Sequence, residues 1–188
     1  IKTLNKKINS FFGKMFIAME FLFLRKGVMT MGASQLCGFA KSDENRATPN
    51  LQFHVQPIST DKLGGTALHN FNAFTPTVAN IRPTSRGEIN IASSDSRDDP
   101  KIKMNYLSTT DDRKVAAAGI RLVRKIIFET ETFKKYQPEE FRPGLKYQDD
   151  EQIVQAASNH AQTIFHPVGT CKMGNDGSSV VNDKLKVH

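Results

Sequence analysis

The stretch Thr163-Ile-Phe-His-Pro-Val-Gly-Thr-Cys-Lys-Met-Gly174 joins a proton-transferring side chain to sharp backbone punctuation, and no other part of the 188 residues does so. Pro167 fixes its own φ and pushes His166 toward extended geometry. Gly169 and Gly174 allow a turn or a close approach of backbone to a ligand. A frame of that kind can hold an imidazole in place. For a His-Pro pair alone, the plain alternative is a structural histidine ahead of a loop.

Outward from it, the chain continues into Ser179-Val-Val-Asn-Asp-Lys-Leu-Lys-Val187, and upstream it carries RPTSRGEINIASSDSRDDPKI from Arg82 to Ile102. The nine residues HPVGTCKMG with this sequel, and the Pro-x-Ser-x-Gly leading to a strand and an Asp-rich turn, resemble two signatures of the glucose-methanol-choline (GMC) flavoprotein oxidoreductases. The resemblance is strongest from Arg82 to Val187 and weaker before Leu51. Two departures are visible: Asn182-Asp183 stand where the family usually has Asp and often Pro, and Ser96 stands where it often has Pro.

The resemblance implies a choline dehydrogenase-like enzyme that oxidises the CH–OH group of a small-molecule alcohol. His166 would be base or hydrogen-bond acceptor for the hydroxyl proton while hydride passes to FAD. Phe165 matches an aromatic position that shapes the alcohol pocket, with a core aromatic as the equally weighted alternative. The flavin would be held by a separate FAD-binding domain. The implied organisation is a helical lead-in and loop over residues 1–50, then a substrate-binding domain over 51–188, cut short at its C-terminal end. A second polar catalytic residue, His or Asn in the family, would lie beyond His188.

Residues alone set further bounds. No G-x-G-x-x-G stands between a strand and a helix; Gly64-Gly65 and Gly174-Asn-Asp-Gly177 lack the spacing that cradles a pyrophosphate. With no initiator methionine, the chain reads as a fragment. The net charge of +7, from 26 basic and 19 acidic residues, is scattered and interleaved with acids such as Asp98-Asp99 and Asp149-Asp150-Glu151, with no Trp, so no nucleic-acid partner is expected. Cys37 and Cys171 have neither CxxC nor metal-ligand spacing. Reduced thiols are expected, with Cys171 as a small buried hydrophobe, no metal, and a cytoplasmic or peripheral inner-membrane location.

From Ile8, the residues Phe11, Phe12, Met15, Phe16, Met19, Leu22 and Phe23 recur at helical spacing, with Ser10 as an internal cap and Gly27 as the stop. This predicts a core-packing helix or, alternatively, a Phe-rich face over residues 8–24 that lies on a membrane surface or against a partner domain. Alternation predicts a strand at 51–58, where Pro57 ends the ladder or puts it at an edge, with Leu51, Phe53 and Val55 on one face and Gln52, His54 and Gln56 on the other. Asp61 to His69 reads as a loop. Further strands are expected at 71–81, 87–92 and 101–104. Thr110 or Asp111 caps a helix with the stripe Ala118, Gly119, Leu122, Val123, Ile126 and Ile127, with Arg121, Arg124 and Lys125 opposite it. Asp149 caps a last helix through Ile153, Val154, Ala156 and Ala157.

The sum is an α+β fold, an antiparallel sheet with helices packed on one face. A non-catalytic interaction or membrane-surface module is the alternative function.

Overall fold

The structure is a computed structural model describing residues 3–32, 34–61 and 67–188. The expected Gly64-Gly65 loop lies outside the described residues. The chain divides into two compact units, residues 1–83 with 113–161, and residues 84–112 with 162–188.

In the first unit, α1 (Leu4–Asn9) leads directly into α2 (Phe11–Leu24). Ser10 is extended and its Oγ accepts from the Gly13 amide at 3.4 Å, the internal cap that the sequence predicts. Gly13 is needed there, because a Cβ on it would lie 1.9 Å from the Lys7 carbonyl oxygen. The helix stops before Gly27: Arg25 turns left-handed at φ 52° and its N–H closes on the Phe21 carbonyl. Asn5 anchors α1. It is fully buried, donating to the Ser59 and His69 carbonyls and accepting from the Ser59 N–H, all at 2.9 Å.

The face of α2 differs from a core stripe. Ile17 is its buried residue, whereas Phe11, Phe12, Met15, Phe16, Met19, Leu22 and Phe23 are all exposed, Phe23 by 77%. The helix is apolar around most of its circumference, so spacing alone could not say which side turns inward. No helix among the described residues is long and apolar enough to cross a membrane.

β1 (Leu36–Ala40), β2 (Leu51–Gln56) and β3 (Thr75–Asn80) form an antiparallel sheet in that order, with Gly38 opposite Phe53 and Phe53 opposite Val78. The strand at Gly38-Phe39 corrects the reading of that segment as loop; as a mostly exposed edge strand it lacks the alternation that would betray it. α3 (Thr110–Glu129) lies against the face carrying Leu51: a Cβ on Gly119 would stand 2.9 Å from Val78 Cγ2 and 3.3 Å from Leu51 Cδ2. Leu51, Val115, Ala117 and Ile153 make the driest part of the core.

α4 (Glu131–Lys134) and α5 (Asp150–Ser158) complete the unit. Asp149 caps α5 by accepting from Gln152 N–H at 2.8 Å, and Ile153, Val154 and Ala156 are buried as expected. Arg124 does not face water. Its guanidinium meets Glu140 at two points and also donates to the Tyr147 and Gly144 carbonyls, fixing the 140–147 loop to α3.

In the second unit, β4 (Glu88–Asn90) and β5 (Lys101–Lys103) pair with each other, so these strands form a separate two-stranded ladder. The turn ahead of β4 is tied by Asp112, whose carboxylate accepts from the Thr84 and Ser85 N–H groups, both at 2.8 Å.

Candidate active site

The segment from Gln162 to Gly169 has neither helix nor strand. Thr163 Oγ1 accepts from the Phe165 N–H at 3.0 Å, and this side-chain turn sets the backbone before the histidine. Phe165 itself takes the left-handed region at φ 63°, a conformation that costs a non-glycine residue about 1–2 kcal/mol. Such strain gathers at functional positions. Gly169 is also left-handed, at φ 107°, where glycine carries no such cost.

The result is a strap that shows its side chains. Phe165, His166 and Val168 are exposed, Phe165 by 65% and Val168 by 94%. The His166 imidazole has no hydrogen-bond partner among the described residues, so both ring nitrogens are open to an incoming proton donor or acceptor.

Behind the strap the chain closes on itself. Met173 bridges Val181 in parallel and Val181 bridges Val187 antiparallel; Gly174 N–H donates to the Val181 carbonyl at 3.0 Å. Asn182, at the departure from the family string, accepts from the Lys184 and Lys186 N–H groups at 2.9 and 3.0 Å and so makes the turn. Lys172 pairs with Asp176 at 2.7 Å, and with Ser178 it holds the Asp176 carboxyl far below the ordinary range.

The other histidines do different things. His54, on the face of β2 that the alternation assigns to polar residues, has its Nε2 buried and without a hydrogen-bond partner. His160 is exposed just after α5, where its N–H donates to the Ala157 carbonyl. His69 links Ser59 Oγ at 2.7 Å to Asp61 at 3.1 Å, a chain with the residue types of a hydrolase triad. The serine is buried, however, and the ring is stacked on Phe71 and met edge-on by Phe141. It is a clamp between loops, with no reachable nucleophile.

Cys37 and Cys171 are free thiols, and Cys171 is exposed, not the buried hydrophobe expected; in the open strap there is no core for it to fill. No group of three or more metal-ligating side chains occurs among the described residues.

A flavin nucleotide needs a place for its pyrophosphate. At the N-termini of α2 and α5 the Gly13 and Gln152 amides are taken by Ser10 and Asp149, and α3 and α5 open with Asp111, Asp112, Asp150 and Glu151, which repel phosphate. The described residues do not fit the nucleotide end. What the strap offers is an open imidazole beside an exposed aromatic and an exposed valine.

Comparison with known proteins bears on this strap. The profile of the GMC oxidoreductase family matches residues 83–188. The alcohol dehydrogenase [acceptor] of Pseudomonas putida is 39% identical over 168 residues, covering 89% of this chain and 30% of that protein. The oxygen-dependent choline dehydrogenase of Proteus mirabilis is 38% identical over 174 residues, covering 92% and 31%. The chain thus spans about 30% of the length of these relatives. In fold it is similar to a formate oxidase, with a TM-score of 0.77 at 22% identity over 99% of this chain and 37% of the other. A variant of the Aspergillus oryzae RIB40 formate oxidase, studied for FAD modification, superposes with a TM-score of 0.74 at 23% identity, over 94% and 35%. The profile match takes in β4, β5, α3, α5 and the whole His166 strap, and on that ground the chain belongs to the GMC oxidoreductase family, as its C-terminal part.

Proposed function

We propose that this chain is the substrate-binding part, residues 51–188 with a helical lead-in over 1–50, of an FAD-dependent enzyme oxidising the CH–OH group of an alcohol. The observation that carries the reading is the open imidazole of His166 on a strap lying inside the family match. FAD, held mainly by a domain outside this chain, supplies the acceptor for the hydride. His166 takes the hydroxyl proton on an imidazole nitrogen as the carbonyl of the product forms. Imidazole suits the task as a class because it exchanges protons near neutrality, and positioned proton transfer is worth roughly 10²–10⁴-fold in rate. Phe165 offers an apolar wall beside the reacting carbon, and the left-handed backbone at that residue fixes where the ring projects.

The test is a chimera. Residues 83–188 are exchanged into a complete choline dehydrogenase-like relative, and anaerobic reduction of its flavin by alcohols is followed. Reduction at a rate near the parent's supports the reading; a chimera that binds flavin but is not reduced by any alcohol contradicts it.

A second reading has its own observation. The exposed Phe and Met side chains of α2 have cations near them: Lys7 Nζ lies 4.5 Å from the centre of the Phe16 ring, and the Arg25 guanidinium 5.3 Å from that of Phe21. An apolar helix edged with cations is the pattern of an anionic membrane surface contact.

A further inference from the structure

Of the chain's 26 basic and 19 acidic residues, six basic and one acidic lie within residues 1–32. The remaining 20 and 18 nearly balance, so most of the +7 charge belongs to the segment that carries α2. The one acid, Glu20, folds back over the turn after the helix: a Cβ on Gly27 would lie 2.2 Å from its Oε2.

The apolar side chains of α2 are ordered as well. At about 100° per residue, the seven exposed Phe, Met and Leu side chains between Phe11 and Phe23 fall within one arc of about 140°, with Phe11 and Phe16 at its margins. Neither Lys14 nor Glu20 falls inside it. Ile17, the buried residue, lies on the opposite side, so the body of the protein takes the place of the polar face that a free interfacial helix needs. Lys7 comes before the helix with its Nζ over the Phe16 ring, and Arg25 follows it with its guanidinium over the Phe21 ring. Such side chains lay their stems along apolar surface and carry the charge outward.

The 14 residues of α2 make about 21 Å of helix, too short to cross a bilayer but long enough to lie along one. An apolar protein face would cover the arc and leave the cations without counter-charge, whereas a bilayer with anionic headgroups matches both. We propose that α2 lies flat in the interfacial layer of an anionic phospholipid bilayer, with the Phe11–Phe23 arc at the acyl boundary and Lys7 and Arg25 among the headgroup phosphates. This deepens the membrane-surface reading of α2 and rests on it; it is independent of the alcohol-oxidation reading.

The chain has no tryptophan, so Phe23→Trp in the whole 188-residue chain puts a single reporter in the arc. Tyr106→Trp, at an exposed position of the second unit, serves as the control. Each is mixed with vesicles of phosphatidylcholine, alone or with about 30% phosphatidylglycerol, with and without brominated acyl chains. With the anionic vesicles the emission of Phe23→Trp should shift to the blue and be quenched by bromine, and that of Tyr106→Trp should do neither. Lys7→Gln and Arg25→Gln should each lower the partition coefficient about fivefold. Phe12→Ser/Phe16→Ser should lower it at least about tenfold. Without any variant, raising NaCl from about 0.05 to about 0.5 M should release most of the bound parent chain.

Absence of binding to anionic vesicles overturns this inference together with the reading beneath it. Binding that leaves Phe23→Trp unshifted and unquenched overturns insertion alone and leaves surface contact standing. Equal binding to neutral vesicles overturns the match to anionic lipid. An emission already blue-shifted without lipid and unmoved by vesicles would mean that a second copy of the chain covers the arc, and it too overturns the inference.

Discussion

Arg124 and Glu140 meet at two points, Nε to Oε2 at 2.8 Å and Nη2 to Oε1 at 2.9 Å, with both side chains nearly buried at 12% and 10% exposure. The fork also satisfies the Tyr147 and Gly144 carbonyls, and Glu140 accepts from the Gly144 N–H. Removing one partner strands the other charge away from water, at a cost of about 3–5 kcal/mol. Arg124→Ala should therefore lower the free energy of unfolding by that amount in urea titration. Arg124→Lys should recover only part of it, since a point charge cannot reproduce the fork.

The Asp112 carboxyl links acidity to stability. Burial pulls its pKa up, but hydrogen bonds from Ser85 and Thr84 outweigh burial and hold it below the usual carboxylate value. A carboxyl depressed on folding contributes stability that is fully present above its unfolded value and is lost as pH falls through its folded value. The chain should accordingly lose stability on acidification below about pH 4, and Asp112→Asn should flatten that part of the profile. At neutral pH the same variant should cost roughly 1.5–3 kcal/mol. An unchanged acid limb in Asp112→Asn would show that other carboxyls govern it.

Gly119 is a helix-interior glycine kept for contact. Replacing it by Ala would gain about 0.8–1 kcal/mol in helix propensity, yet the new methyl would crowd the stiff Val78 side chain, at a cost of about 1–3 kcal/mol. Gly119→Ala should thus be destabilising by urea titration. Pairing it with Val78→Ala should return much of the loss.

The apolar side of α2 predicts association. Exposed patches of this kind promote self-contact or surface binding. Phe12→Ser/Phe16→Ser should raise the solubility of the chain and reduce its sedimentation with anionic vesicles while leaving its melting temperature nearly unchanged. A large fall in melting temperature would instead place these rings in the protein's own core.

Legibility from sequence followed the physics of each feature. The Ser10 and Asp149 caps were readable because capping is local chemistry written in adjacent residues. β2 was readable from alternation and from Pro57, which ends it. β1 was not, since an exposed edge strand containing Gly38 carries no periodic signal, and its partner lies 11 residues further on at Leu51. Neither Arg124–Glu140 nor Asn5 could be found by pattern, because a polar residue held by distant groups looks in sequence like a surface residue. The strap was legible as a string, and its punctuation at Gly169 was foreseen. The left-handed Phe165 was not. Thr163 two residues before it is the one local signal, a hydroxyl placed to accept its N–H.

The central claim is that His166 accepts the alcohol proton. In the chimera carrying residues 83–188 within a complete flavoenzyme relative, anaerobic stopped-flow absorbance gives the rate of flavin reduction by an alcohol. His166→Ala should lower that rate by roughly 10²–10⁴-fold with the flavin still bound, while His160→Ala should change it little. If His166→Ala kept most of the reductive rate, or if His160→Ala cost as much, the strap would be a structural turn and the assignment of His166 would be wrong.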